Sequence, residues 1–165
     1  MKSKGIYGFY KNGVSKLTGY EYGSNPTILG NYIKNFLEKT PKSNLISIFN
    51  EITMVDKRFT DSLSILQKDT SLYSKGIKYM EDCIDFIKNS GCCEWCYVMN
   101  LDKNILEIYR GLQKKPDFNR YLSCADKNGY CNCILVKEVP FEKLNNFSMK
   151  DFQTEFFLKE YTNVV

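Results

Sequence analysis

The chain has 165 residues, 23 Lys and Arg against 19 Asp and Glu, a net charge of +4, and no histidine. The missing imidazole excludes Ser-His and Cys-His nucleophile pairs, mixed Cys/His zinc sites and with them most hydrolase mechanisms. What stays open is an all-thiolate metal site, acid/base work by a carboxylate or lysine, a nucleophile activated without imidazole, or binding without chemistry.

Hydrophobic residues at 43% and aromatics at 15% suffice for one core at this length, so a single domain spanning residues 1–165 is expected. No apolar run approaches the length of a membrane span. The opening Met1-Lys2-Ser3-Lys4 leads into an alternating segment without an apolar signal core, which predicts an intracellular protein whose seven cysteines stay reduced. Arg58, Arg110 and Arg120 are the only guanidinium donors, so the positive charge by itself does not point to nucleic-acid readout. A positive chain is also no acidic DNA mimic.

Residues 1–22 predict a hairpin, because Asn12-Gly13 separates two β-favouring runs and a type I′ turn needs positive φ at both central positions. Residues 26–90 predict a helical segment. Ile28, Leu29, Tyr32, Ile33, Phe36 and Leu37 recur at helical spacing after Pro26, and that helix ends before Pro41. Leu45, Ile48, Phe49, Ile52, Val55 and Phe59 lay down a second stripe, with Ser43 or Asn44 as cap and Asp56-Lys57 as a break. Residues 60–70 fit either helix or loop. Ser71 to Asn89, with Tyr73, Ile77, Met80, Ile84 and Ile87, predicts the clearest helix, stopped by Gly91.

Residues 93–139 predict strands. Trp95 to Leu101 alternates, Asp102-Lys103-Asn104 turns the chain into Ile105–Tyr109, and Cys131–Val139 follows an irregular excursion over 111–129. Residues 148–162 predict a final helix, capped by Ser148 with Asp151 and carrying Phe152, Phe156, Phe157 and Tyr161 on one face. The fold class is therefore α+β: an antiparallel sheet of two hairpins plus a strand, with a mixed sheet as the alternative, packed by three to four helices.

Cys93 and Cys96, with Cys131 and Cys133, assemble four thiolates for a zinc site on paper. The second pair is Cys-x-Cys in a predicted strand rather than a knuckle on a tight turn, so small buried hydrophobes are the favoured reading and no metal or cofactor is expected. A thioredoxin-like role would need the Cys-x-x-Cys at a helix start, and Cys92 remains as a single reactive thiol. Asn25-Pro26-Thr27 resembles an anion-presenting helix start as well as an ordinary one. Tyr7, Phe9, Tyr10, Tyr20 and Tyr22, interleaved with Lys4, Lys11 and Lys16, have the composition of a base-stacking hairpin. Arg110, Lys114, Lys115 and Arg120 form the densest basic patch and lie in the excursion, where binding residues concentrate. With Tyr20 and Tyr22 they are the candidate binding residues. No catalytic residue is assigned.

Gly5-Ile6-Tyr7-Gly8-Phe9-Tyr10-Lys11-Asn12-Gly13-Val14-Ser15-Lys16, then Pro26 to Gly30, then Glu94 to Asp102 and Leu106 to Gly111, resemble a family of small phage, prophage and fungal proteins with a Gly-Thr-Arg-Gly-like opening. That family carries Asp-Ser/Gly-Tyr-Pro before the first helix, where this chain reads Gly23-Ser24-Asn25-Pro26 and lacks the carboxylate. The resemblance brings no activity with it. It implies a phage or mobile-element protein in the bacterial cytoplasm, with a host protein complex as partner and counter-defence of the anti-CRISPR kind as function. A nucleotide or nucleic-acid binder is the alternative. Another is a hydrolase similar to the amino-terminal-nucleophile enzymes, for which Ser3 would have to become residue one.

Overall fold

The computed structural model describes residues 4–58 and 78–162. In chain order its strands are β1 (Lys4–Lys11), β2 (Val14–Tyr20), β3 (Ile52–Val55), β4 (Lys78–Glu81), β5 (Cys93–Asn100), β6 (Ile105–Arg110) and β7 (Ile134–Pro140). Its α-helices are α1 (Asn31–Lys39), α2 (Lys42–Glu51), α3 (Ile84–Lys88) and α4 (Met149–Thr162), with a π-helical turn at Pro26–Gly30 leading into α1. None of them is long and apolar enough to cross a membrane.

β1 and β2 form the expected hairpin, and Asn12 (φ 49°) and Gly13 (φ 79°) supply the two positive angles its turn requires. Gly8 faces Leu17 across this pair, and a Cβ there would collide with the Lys16 carbonyl, so the strands approach as closely as they do because position 8 has no side chain. β5, β6 and β7 follow as an antiparallel meander, and β5 lies parallel to β1. The result is an α+β fold on one mixed five-stranded sheet in the order β2-β1-β5-β6-β7, with β3 and β4 as a separate parallel pair.

Both faces of the central strands are covered, so the buried residues do not simply alternate with exposed ones. Tyr7, Phe9, Trp95, Tyr97 and Met99 point to one side, into a core completed by Ile33 and Phe36 of α1, Leu45 and Phe49 of α2, and Leu144 and Met149. Ile6, Cys96, Val98 and Tyr109 point to the other, where they meet Cys83, Ile87, Tyr121 and Cys133. The sheet is thus the middle layer between α1, α2 and α4 on one side and α3 with the 111–133 excursion on the other. The Lys16 ammonium donates to the Phe49 and Ile52 carbonyls at 2.6 and 2.7 Å, closing the C-terminal end of α2 with a cation.

Five expectations are corrected. Residues 78–89 are not a continuous helix: Lys78–Glu81 pairs in parallel with Ile52–Val55, and only Ile84–Lys88 is helical. Met80 belongs to the first core and Ile87 to the second, so a stripe spaced like one helix face serves two opposite layers. The Asp82 carboxylate accepts the Ile84 N–H at 3.1 Å and starts the short helix afresh. The rest of that predicted helix and the segment 60–70 lie outside the described residues, as does Phe59.

Ile52 and Val55 belong to β3 rather than α2, and α2 starts at Pro41, whose carbonyl accepts the Asn44 and Leu45 N–H groups without a side-chain cap from Ser43 or Asn44. β7 begins at Ile134, because Asn132 turns inward and its amide donates to the Asp117 and Cys133 carbonyls. Ser148 does cap α4, accepting the Asp151 N–H at 3.1 Å. Phe152, Phe156 and Phe157 surround Trp95, but Tyr161 stays 75% exposed.

Candidate functional site

The excursion between β6 and β7 is an ordered arch. Its two limbs are tied to the segment ahead of β5: Leu112 N–H donates to the Ser90 carbonyl, Gln113 N–H to Ser90 Oγ and Ser90 N–H to the Cys131 carbonyl, each at 2.9 Å. At its crown the polar side chains of Asp117, Asn119 and Asn132 join in one hydrogen-bonded cluster. Asn119 Nδ2 donates to Asp117 Oδ2 at 2.6 Å and to the Cys133 carbonyl at 2.9 Å, while Asn119 Oδ1 accepts the Tyr121 N–H at 2.9 Å. Asp117 Oδ2 also accepts the Leu135 N–H, which anchors the crown to β7.

Under the arch lies a buried polar cluster on the sheet. Glu107 on β6 is 2% exposed and forms an ion pair with Arg120. It also accepts the Tyr109 hydroxyl at 3.2 Å and the Asn100 amide at 3.3 Å. The Arg120 guanidinium lies 3.9 Å from the Tyr10 ring centre, and Tyr121 and Ser15 hydroxyls are 2.9 Å apart. Burial pushes the Tyr121 phenol up to about 12 and raises Tyr109 further, so both are neutral donors at physiological pH. Because Arg120 neutralises a carboxylate that is itself buried on the sheet, the pair clamps the arch onto β6.

The clamped arch holds Phe118 away from the protein. Its neighbours Asp117 and Asn119 are both fixed by the crown hydrogen bonds, yet Phe118 is 89% exposed, the most exposed large hydrophobic among the described residues. Leu122, four residues on, is exposed as well. Lys114 is on the same excursion, with its ammonium 3.7 Å from the Tyr130 ring centre and donating to the Asn128 carbonyl at 2.7 Å. Lys115 is exposed. Sequence reasoning singled out the cations of this segment and missed Phe118; a large aromatic in a polar loop beside Pro116 was the available signal.

The six candidate residues do not converge. Arg110 ends β6 on the opposite sheet face from Arg120, 4.9 Å from the Trp95 ring centre and paired with Glu94 at 3.5 Å and Glu160 at 3.2 Å. Tyr20 is stacked on Tyr32 with ring centres 5.9 Å apart, and Tyr7 and Phe9 are buried in the core, so of the hairpin aromatics only Tyr22 stands clear of the surface. The Thr27 N–H at the first helical turn is donated to Gln153 Oε1 of α4.

Five of the seven cysteines are buried. Cys93 and Cys133 sulfurs are 3.9 Å apart and Cys96 is buried beside them, but Cys131 and Cys133 flank an inward-turned Asn132 instead of sharing a strand face. Among the described residues no group of three Cys, Asp or Glu side chains is placed to hold a metal ion. The Cys133 hydrogen bond and burial raise the Cys93 thiol well above its ordinary value, and burial does the same for Cys96, so neither is a thiolate at neutral pH. No protein-family model matches the chain, and neither a curated protein nor a solved structure is detectably similar to it.

Proposed function

We propose that the protein is a non-enzymatic binding protein of phage or mobile-element origin, acting in the bacterial cytoplasm by occupying a surface of a host defence complex such as CRISPR-Cas. The observation that carries this reading is Phe118, a fully presented aromatic on an arch whose ends, crown and underside are all fixed. A rigid, exposed aromatic loses little conformational freedom on docking and fits the anchor role that a few residues play at interfaces. With Leu122 also exposed and Lys114 and Lys115 on the same excursion, it matches an apolar pocket rimmed by carboxylates on the partner.

The nucleic-acid alternative has less support, because burial and stacking of Tyr7, Phe9 and Tyr20 leave Tyr22 alone as a base-stacking side chain. The test is plasmid retention in cells with active CRISPR-Cas interference, comparing the wild-type chain with Phe118→Asp. Wild-type expression raises retention, and the variant loses that protection while keeping its melting temperature. Equal protection by both proteins, or none by the wild type, refutes the proposal.

A further inference from the structure

A second feature lies at the other end of the sheet, where the N-terminal ends of β1 and β5 meet. A cleft of about 590 Å³ opens there, lined by Glu21, Tyr22, Gly23, Ser24, Asn25, Glu94, Trp95 and Phe157. Its shape is set by the backbone: Gly23 has φ 117°, and a Cβ there would come within 2.9 Å of Ile28, so only glycine lets the chain leave β2 along this path. The Tyr97 hydroxyl ties the Ser24 carbonyl to β5 at 2.8 Å, which holds the rim in place.

Two of the lining residues carry buried polar atoms without a partner, the indole Nε1 of Trp95 and Oδ1 of Asn25. An unpaired buried donor or acceptor loses its hydration for no return, and native proteins rarely leave one so. Trp95 is 0% exposed as a residue and its ring is gripped by Phe152, Phe156 and Arg110, so it does not swing out to find water. The cleft is also acidic in a chain that is basic overall. Glu21 and Glu94 line it and, among the described residues, no Lys or Arg does; Arg110 pairs with Glu94 at 3.5 Å and with Glu160 at 3.2 Å. Two further rings, Tyr22 and Phe157, line the cleft beside Glu21.

We infer that this cleft binds an ammonium or guanidinium group carried next to a carbonyl, the chemistry of a Lys or Arg residue within an extended peptide. The cation meets Glu21 and the faces of Tyr22 and Phe157, its N–H groups supply the donor that Asn25 Oδ1 lacks, and the neighbouring carbonyl accepts from Trp95 Nε1. A free diamine offers the charge and the donors but no acceptor for the indole. The inference is independent of Phe118 and of the function proposed for the arch.

Trp95 is the single tryptophan of the chain, so its fluorescence reports on the cleft directly. Acetyl-arginine methylamide and acetyl-lysine methylamide, titrated into the full-length protein, are expected to change the emission saturably in the millimolar range. Pentane-1,5-diamine is expected to bind at least about threefold more weakly, as is the capped arginine to Glu21→Gln, while Glu142→Gln, an exposed carboxylate elsewhere, binds as the wild type does. No saturable change with either capped residue, or an undiminished one in Glu21→Gln, overturns the site. Equal binding of the diamine overturns the peptide assignment and identifies a free organic cation as the ligand.

Discussion

Replacing Arg120 with methionine removes a guanidinium and leaves Glu107, whose side chain is 3% exposed, with only the Asn100 amide and the Tyr109 hydroxyl as donors. Breaking a buried ion pair by deleting one partner costs about 3–5 kcal/mol. The Arg120 side chain is 28% exposed, so water reaches the stranded carboxylate in the variant and the expected loss falls to about 2–3 kcal/mol. Adding Glu107→Gln removes the charge that was stranded and should bring the double variant back to within about 1 kcal/mol of the wild type. The lost stacking of Arg120 on Tyr10 occurs in the single and the double variant alike, so the cycle cancels it. Urea unfolding followed by Trp95 fluorescence gives the four free energies. A coupling below about 0.5 kcal/mol would refute the view that this pair clamps the arch to the sheet.

Ser148→Ala should destabilise α4 by about 1 kcal/mol through the Asp151 N–H it leaves unpaired, and thermal melts that coincide with the wild type would dispose of the cap. Under native conditions an alkylating reagent should modify Cys124 and Cys92 quickly and spare Cys83, Cys93, Cys96, Cys131 and Cys133, as read by intact-mass spectrometry; rapid labelling of a third thiol contradicts the packing described. Stability should fall as the pH rises above about 9. Burial, with the Glu81 charge second, pushes Cys83 from 9.0 up to about 11, so the folded state holds a proton that the unfolded chain releases in that window. Cys83→Ala should make this part of the profile shallower, with the raised Cys93 and Cys96 thiols supplying the rest of the slope, and an unchanged slope in the variant argues against the assignment.

The hairpin turn, the β5–β6 meander and the Ser148 cap were legible in the sequence because each rests on contacts within a few residues. Asn12-Gly13 fits a turn by its own φ preferences, and Ser148 caps a backbone N–H three positions away. Lys78–Glu81 was misread because Met80, Ile84 and Ile87 repeat at three and four residues, a spacing that also arises when a strand, a turn and a short helix feed different layers. The candidate site was half legible. Lys114, Lys115 and Arg120 lie in the segment that carries Phe118, but nothing local separates an exposed Lys115 from an Arg120 paired to Glu107, since the partner sits on a strand that the chain reaches only by folding back.

By itself the sequence determined what chemistry is closed to this protein, through the absence of histidine, and where the chain must turn, through glycine, asparagine and proline at positions that only certain φ values suit. Only the tertiary structure decided that β1 and β5 run parallel, that both faces of the sheet are covered, that Arg110 and Arg120 are pulled to opposite sides, and that Phe118 is left in solvent. Local preferences act through a residue's own dihedrals and its near neighbours. Which apolar face is buried, and which charge finds a counter-charge, depends on contacts between segments far apart in the chain.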